Sequence, residues 1–233
     1  MDKKTRILLF SGGLDSFILY HYLGKPTPLY FNLGHRYAFK EIKIIGDMVK
    51  NKLIDDVEWD FSYTLTEWEL PDAHIPFRNI LLAMGASRYG DTVYLGGVTD
   101  DRVSDNTRAS HADMTAIISR YAGRFVEVRA PFAELNYSKF DAVKWFLKKY
   151  KRTGQAESSL LSTLSCFSPK EGRCMGCKAC FRWYVALTWC GVKNVPQWRN
   201  AGLVKDYLDQ VDEGKIVGER ARAIRSIFTD EGD

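Results

Sequence analysis

The chain has no apolar run approaching the roughly 20 residues that a membrane-spanning helix needs, so no helical span is expected. A signal-peptide apolar region is missing too. MDKKTR leads straight into a strand-like segment, which sets the expectation of a cytoplasmic protein. Charge of one sign is also scarce: a net +4 over 233 residues is too little for a protein that coats nucleic acid. Direct nucleic-acid binding is therefore not expected, and a small anionic ligand suits the balance better. There is no internal repeat and no low-complexity segment. Neither a G-x-G-x-x-G fingerprint nor a G-x-x-x-x-G-K-[ST] loop occurs. What remains is 45% apolar residues, enough to bury a substantial core.

The first half alternates short apolar runs with helical patterns. Ile7 to Phe10, Thr27 to Gly34 and Thr92 to Val98 are rich in β-branched and aromatic residues, as buried parallel strands are. Val57 to Tyr63 alternates strictly, with Val57, Trp59, Phe61 and Tyr63 on one face, and reads as a half-exposed strand nearer an edge. Helices are expected at about Asp15 to Leu23, Tyr37 to Leu53, Arg78 to Tyr89 and Ser110 to Ala122. This alternation predicts an α/β fold with a doubly wound, mostly parallel sheet. After VRAPF (Val128 to Phe132) the pattern changes. Ser138 and Asp141 form a capping-box pattern ahead of an apolar stripe of Phe140, Val143, Phe146, Leu147 and Tyr150. The basic LKKYKR that closes this helix is read as a solvated last turn complementing the helix dipole.

RILLFSGGLDSFILYHYLG, Arg6 to Gly24, places two glycines, two serines and a carboxylate where a strand turns into a helix. Such a turn at the carboxyl end of a strand aims free N–H groups outward. Gly12 and Gly13 remove Cβ atoms that would hold a phosphate away, and Ser11 and Ser16 add hydroxyls. The junction is shaped for phosphate without a loop lysine.

Of five cysteines, four fall within fifteen residues: Cys166, Cys174, Cys177 and Cys180. Two overlapping C-x-x-C units behind one more Cys suit a four-thiolate tetrahedral site, and a reducing compartment disfavours disulfides. Structural Zn²⁺ is the expected occupant, with an iron–sulfur cluster as the competing one. Cys190, in LTWCGV, is expected to be a buried core thiol.

Ser11 to Ser16 matches the SGGxDS signature of the PP-loop (N-type) ATP pyrophosphatases, which the chain resembles. The resemblance implies that Ser11, Gly12, Gly13, Leu14, Asp15 and Ser16 bind ATP, which is cleaved between its α and β phosphates. Asp15 and Ser16 would be catalytic, with Asp15 helping to position Mg²⁺. SGGLDS, IPFRN and the cysteine run together resemble the 7-cyano-7-deazaguanine (preQ0) synthase family over roughly Arg6 to Trp189. That resemblance implies adenylation of 7-carboxy-7-deazaguanine, displacement of AMP by ammonia to give an amide, and a second ATP-driven step to the nitrile. Arg78 and Asn79 match the family's R-N pair and would bind substrate, with Arg78 also catalytic and able to hold a phosphate or the substrate carboxylate. Capping of the helix is the ordinary alternative, mainly for Asn79.

The chain also departs from the family. FNLGHRYAFKE stands where the family has F-x-Y-G-Q-R-H, so Gly34 and Arg36 are matched as ATP-binding residues and Glu41 is a further equivalent, while His35 and Tyr37 are altered neighbours. The substrate loop GVTDDRVSDNTR is shorter and lacks the Pro-Asp-Cys of the family. Gly97, Asp101, Asp105, Asn106 and Arg108 are its candidate substrate-binding residues, and Asp105 or Asn106 is expected to meet the base edge.

The expected organisation is a PP-loop ATP-binding α/β domain over 1–150, a helical segment with a four-cysteine zinc site over 151–190, and a helical extension over 191–233. The expected protein is an ATP-dependent carbon–nitrogen ligase and a homodimer, acting on a 7-deazapurine carboxylate. Two alternatives stay open: transfer of the activated base to an amine on a protein partner, as in relatives tied to antiphage defence, and tRNA thiolation. A non-catalytic base-binding module would be expected to have lost the loop residues that are present here.

Overall fold

A computed structural model describes residues 5–99 and 105–229. Its strands are β1 (Arg6–Leu9), β2 (Thr27–Phe31), β3 (Glu58–Asp60), β4 (Thr92–Tyr94) and β5 (Glu127–Arg129). The α/β part also holds α1 (Leu14–Tyr22), α2 (Ala38–Lys50), α3 (Arg78–Ala86), α4 (Arg108–Ala122), α5 (Pro131–Glu134) and α6 (Lys139–Lys149). Four helices follow: α7 (Gly154–Ser162), α8 (Lys178–Trp189), α9 (Ala201–Asp212) and α10 (Gly218–Phe228). None of the described helices is long and apolar enough to cross a membrane.

All strand pairs are parallel, in the order β3-β2-β1-β4-β5. The chain winds outward from β1 through β2 to β3, then crosses to β4 on the other side of β1. This reversal opens a crevice at the carboxyl ends of β1 and β4, where open α/β sheets bind ligands. The expected doubly wound parallel sheet is therefore present. Ile7, Leu8 and Leu29 are fully buried, as strands covered on both faces require.

β3 lies at the sheet edge as expected, but its faces are used differently. Trp59 and Phe61 are exposed and stack on each other, Trp59 also meeting Tyr30, while Asp60 is buried. Asp60 is tolerated inside because it accepts hydrogen bonds from Ser62 N (2.8 Å) and the Tyr89 hydroxyl (2.9 Å). The alternation reported the strand and its edge position; the polar network decided which face went in.

Ser138 and Asp141 form the expected capping box, and Phe140, Val143, Phe146 and Leu147 turn inward from α6. Its basic end is used within the fold. Lys149 Nζ donates to the His21 carbonyl at 2.7 Å, and the Tyr150 hydroxyl meets His21 Nδ1 at 2.8 Å. One apolar core runs from Leu8 and α1 through α6 and α8 to α9 and α10. The final helices pack on α8, with Phe181 stacked on Tyr207 (4.1 Å between centroids) and Phe228 (5.5 Å). Cys190 is buried, and burial pushes its thiol up to about 12, as a core cysteine requires.

Candidate active site and metal centre

The crevice beside β1 and β4 holds a cavity of about 300 Å³, within the range of small-molecule sites. Ser11, Gly13, Leu14, Asp15 and Ser16 line it from the turn after β1. Gly13 is the N-cap of α1 with no side-chain cap, so the first-turn amides of this helix are left for an anion. Gly12 shapes the turn from behind the cavity. It does not line the cavity; it sits at φ +69°, and a Cβ there would come within 2.6 Å of Ile44 Cγ2 on α2. Its carbonyl accepts from Leu164 N at 2.8 Å, which ties the turn to the segment behind α7.

Arg78 and Asn79 face the same cavity from the start of α3. Neither caps that helix: Phe77, in the left-handed region at φ 59°, occupies the N-cap position. Gly97 and Asn106 line the cavity from the other side. Asn106 Nδ2 donates to the Val98 carbonyl at 3.1 Å, and Oδ1 is buried without a partner. Because a carbonyl can only accept, that bond fixes the amide orientation and presents oxygen as the free group. Asp105 also carries a buried, unpartnered oxygen, though it does not line the cavity. Asp101 lies outside the described residues.

Three candidates stand back from the cavity. Arg36 donates to Glu69 Oε1 (2.6 Å) and to the carbonyls of Leu70 (2.7 Å) and Pro71 (3.1 Å), pinning the loop ahead of α3. Gly34, at φ +72°, allows a close approach of Thr66, whose hydroxyl donates to the Gly34 carbonyl at 3.0 Å. Arg108 opens α4 and donates to the Glu134 carbonyl at 2.9 Å.

Sequence reasoning missed several cavity residues. Lys139, buried at the first position of α6, is ion-paired with Asp15. A cation there opposes the helix dipole and the usual preference for acids, which was the available signal. His35, Tyr37 and Glu41, which the sequence named only as neighbours of the matched Gly34 and Arg36, line the wall formed by the start of α2. His35 Nε2 lies 3.0 Å from Glu41 Oε2, and burial raises the Tyr37 pKa, with Glu41 adding to the effect. Ser165, Phe167, Arg182 and Trp183 close the cavity from the cysteine-bearing half.

Cys166, Cys174, Cys177 and Cys180 come together with all four Sγ atoms within 4.8 Å of one another. Tetrahedral zinc with Zn–S near 2.3 Å needs sulfurs roughly 3.8 Å apart. Cys174 and Cys180 stand at 3.8 Å, and none of the cysteines forms a disulfide. Cys174 N donates to Cys166 Sγ at 3.4 Å and Cys180 N to Cys177 Sγ at 3.5 Å. Cys180 Sγ donates to the Ser165 carbonyl at 3.3 Å. Two cations attend the cluster, Lys40 buried and Arg173 half-buried. Lys40 Nζ donates to Cys166 Sγ at 3.1 Å and to the Gly172 carbonyl at 2.9 Å. Arg173 lies 3.5 Å over the Trp183 ring; burial lowers its pKa and the four cysteines counteract that. Four sulfurs with positive neighbours fit a thiolate-bound dication of zinc type.

The family model "Queuosine biosynthesis protein QueC" matches residues 31–189. The chain is also 25% identical over 210 residues to 7-cyano-7-deazaguanine synthase 1 of Desulfitobacterium hafniense (strain Y51), covering 78% of this chain and 90% of that protein. It is 26% identical over 247 residues to 7-cyano-7-deazaguanine synthase of Archaeoglobus fulgidus, covering 90% of this chain and 98% of that protein.

Proposed function

The chain belongs to the QueC family of queuosine biosynthesis proteins, and from that premise we propose that it is an ATP-dependent ligase acting on 7-carboxy-7-deazaguanine. ATP adenylates the carboxylate, ammonia displaces AMP to give the amide, and a second activation gives the nitrile. The observation that carries this reading is the convergence of three motifs on one cavity: the SGGLDS turn, the Arg78–Asn79 pair, and Gly97 with Asn106. Each answers to a different part of the reaction.

Ser11, Gly13, Leu14 and Ser16 bind the triphosphate at the amino end of α1, with Gly12 holding the turn in shape. Asp15 is the carboxylate available to Mg²⁺, which would offset charge developing on the leaving pyrophosphate. Lys139, paired with Asp15, places a second positive charge beside the same phosphates. Arg78 holds the α-phosphate or the substrate carboxylate, and Asn79 supports it. Asn106 Oδ1 accepts from an N–H on the base edge, because its amide nitrogen is already committed to Val98. Gly34, Arg36 and Arg108 act by building the walls that carry these groups.

The four cysteines would hold zinc with no open coordination position, so the ion would cross-link the segment that closes the cavity. Cys166 serves both regions, as a metal ligand and a cavity-lining residue. The same activated carbonyl would serve an amine on a protein, and product mass separates the two acceptors. The test is ATP–pyrophosphate exchange in the presence of Mg²⁺ and 7-carboxy-7-deazaguanine. Exchange that depends on the deazapurine and vanishes in Asp15→Ala supports the reading; exchange indifferent to the deazapurine refutes it.

A further inference from the structure

We propose that His35, oriented by Glu41, is the general base that takes a proton from the attacking amine in the amide-forming step. The inference rests on the proposed adenylation and adds a residue to it. His35 lines the cavity with only 5% of its side chain exposed, and Nε2 lies 3.0 Å from Glu41 Oε2. A carboxylate can only accept, so the ring hydrogen belongs on Nε2 and Nδ1 carries the lone pair. Nδ1 is buried and has no hydrogen-bond partner. Buried acceptors left empty are uncommon in a folded interior. Here the nearest ring, Tyr37, meets His35 edge-on at 4.2 Å between centroids.

Glu41 sits in the first turn of α2, which fixes the direction from which it meets the imidazole. This gives the ordered pair of a positioned base: a carboxylate on a helix and an imidazole with one nitrogen free. The charged and titratable groups around the dyad are Glu41 and Tyr37 on its own wall, Arg78 from α3, and the Arg36–Glu69 pair beside it.

Neutral ammonia attacks the carbonyl carbon of the acyl-adenylate, its lone pair forming the C–N bond. A proton on that nitrogen passes to His35 Nδ1. The C–O bond to AMP breaks, with the electron pair leaving on the AMP phosphate. The imidazolium then returns its proton to solvent.

The test uses His35→Gln, which keeps a donor toward Glu41 but has no titrating nitrogen. The full chain is loaded with ATP, Mg²⁺ and 7-carboxy-7-deazaguanine, then mixed with ammonium or with hydroxylamine. Hydroxylamine is a weakly basic, strongly nucleophilic amine whose proton departs to water unaided. Loss of a general base predicts amide formation slowed roughly 100-fold or more, with the ionisation of the base gone from its pH profile. Hydroxamate formation is expected to stay within a few-fold of the unchanged protein, and Glu41→Gln to follow the same pattern more weakly. Equal loss of amide and hydroxamate would make His35 structural and overturn the proposal, as would an unchanged amide rate. Absence of hydroxamate from the unchanged protein would instead refute the acyl-adenylate itself.

Discussion

Replacing Lys40 by methionine probes the link between the cysteine cluster and the wall of the cavity. Lys40 is 3% exposed, and its Nζ reaches Cys166 Sγ at 3.1 Å and the Gly172 carbonyl at 2.9 Å. Methionine keeps most of the volume and removes both bonds. A hydrogen bond to a charged acceptor contributes about 1.5–3 kcal/mol, so losing the thiolate bond costs about 2 kcal/mol of metal binding. At 1.4 kcal/mol per decade this is roughly a 30-fold weaker zinc affinity, the size of effect seen when a second partner of a metal ligand is lost. The Gly172 carbonyl, left without its donor, costs about 1 kcal/mol more with or without metal. Chelator competition on the purified protein reads the affinity, and thermal melts with and without added zinc separate the two terms. Lys43→Met is the control, because its pair with Glu171 on the same helix face is fully in solvent and is expected to change neither quantity. Zinc affinity unchanged in Lys40→Met would refute the role of Lys40 as a partner of a metal-bound thiolate.

Three further outcomes follow from other parts of the fold. Burial, with Lys149 nearby, lowers the His21 pKa from 6.5 to about 4, so the folded protein prefers neutral imidazole. As pH falls the unfolded chain binds the proton first; stability is full above about 6.5 and declines to about 4, by up to about 3 kcal/mol. Urea titrations at pH 7 and pH 5 check this, and His21→Asn should flatten the difference. Gly12→Ala forces a side chain into the left-handed region against Ile44 and is expected to cost about 2–4 kcal/mol by urea unfolding. Lys139→Met removes the partner of Asp15 and is expected to slow deazapurine-dependent exchange by roughly 100-fold, read by the same pyrophosphate assay.

Much of the architecture was legible because it depends on local rules. Apolar runs marked the central strands, the Ser138–Asp141 box marked α6, and cysteine spacing marked a site whose sulfurs lie together. The strand-to-helix turn between β1 and α1 was legible for the same reason, since its residues are contiguous. What escaped was made by contacts between distant segments. Lys139 meets Asp15 across 124 positions, and Lys40 meets Cys166 across 126. No periodicity encodes such a pair. The partners of Arg36 were equally hidden: its guanidinium donates to Glu69, Leu70 and Pro71, more than thirty positions away. Asp60 shows that alternation alone does not choose the buried face when a buried carboxylate can find donors.

The central claim is that this cavity turns a deazapurine carboxylate into a nitrile at the expense of ATP. The direct measurement is mass spectrometry of small-molecule products after the purified chain is incubated with ATP, Mg²⁺, 7-carboxy-7-deazaguanine and ammonium. The predicted products are AMP together with 7-cyano-7-deazaguanine, preceded by the amide at short times. ATP consumed with neither amide nor nitrile formed would contradict the claim.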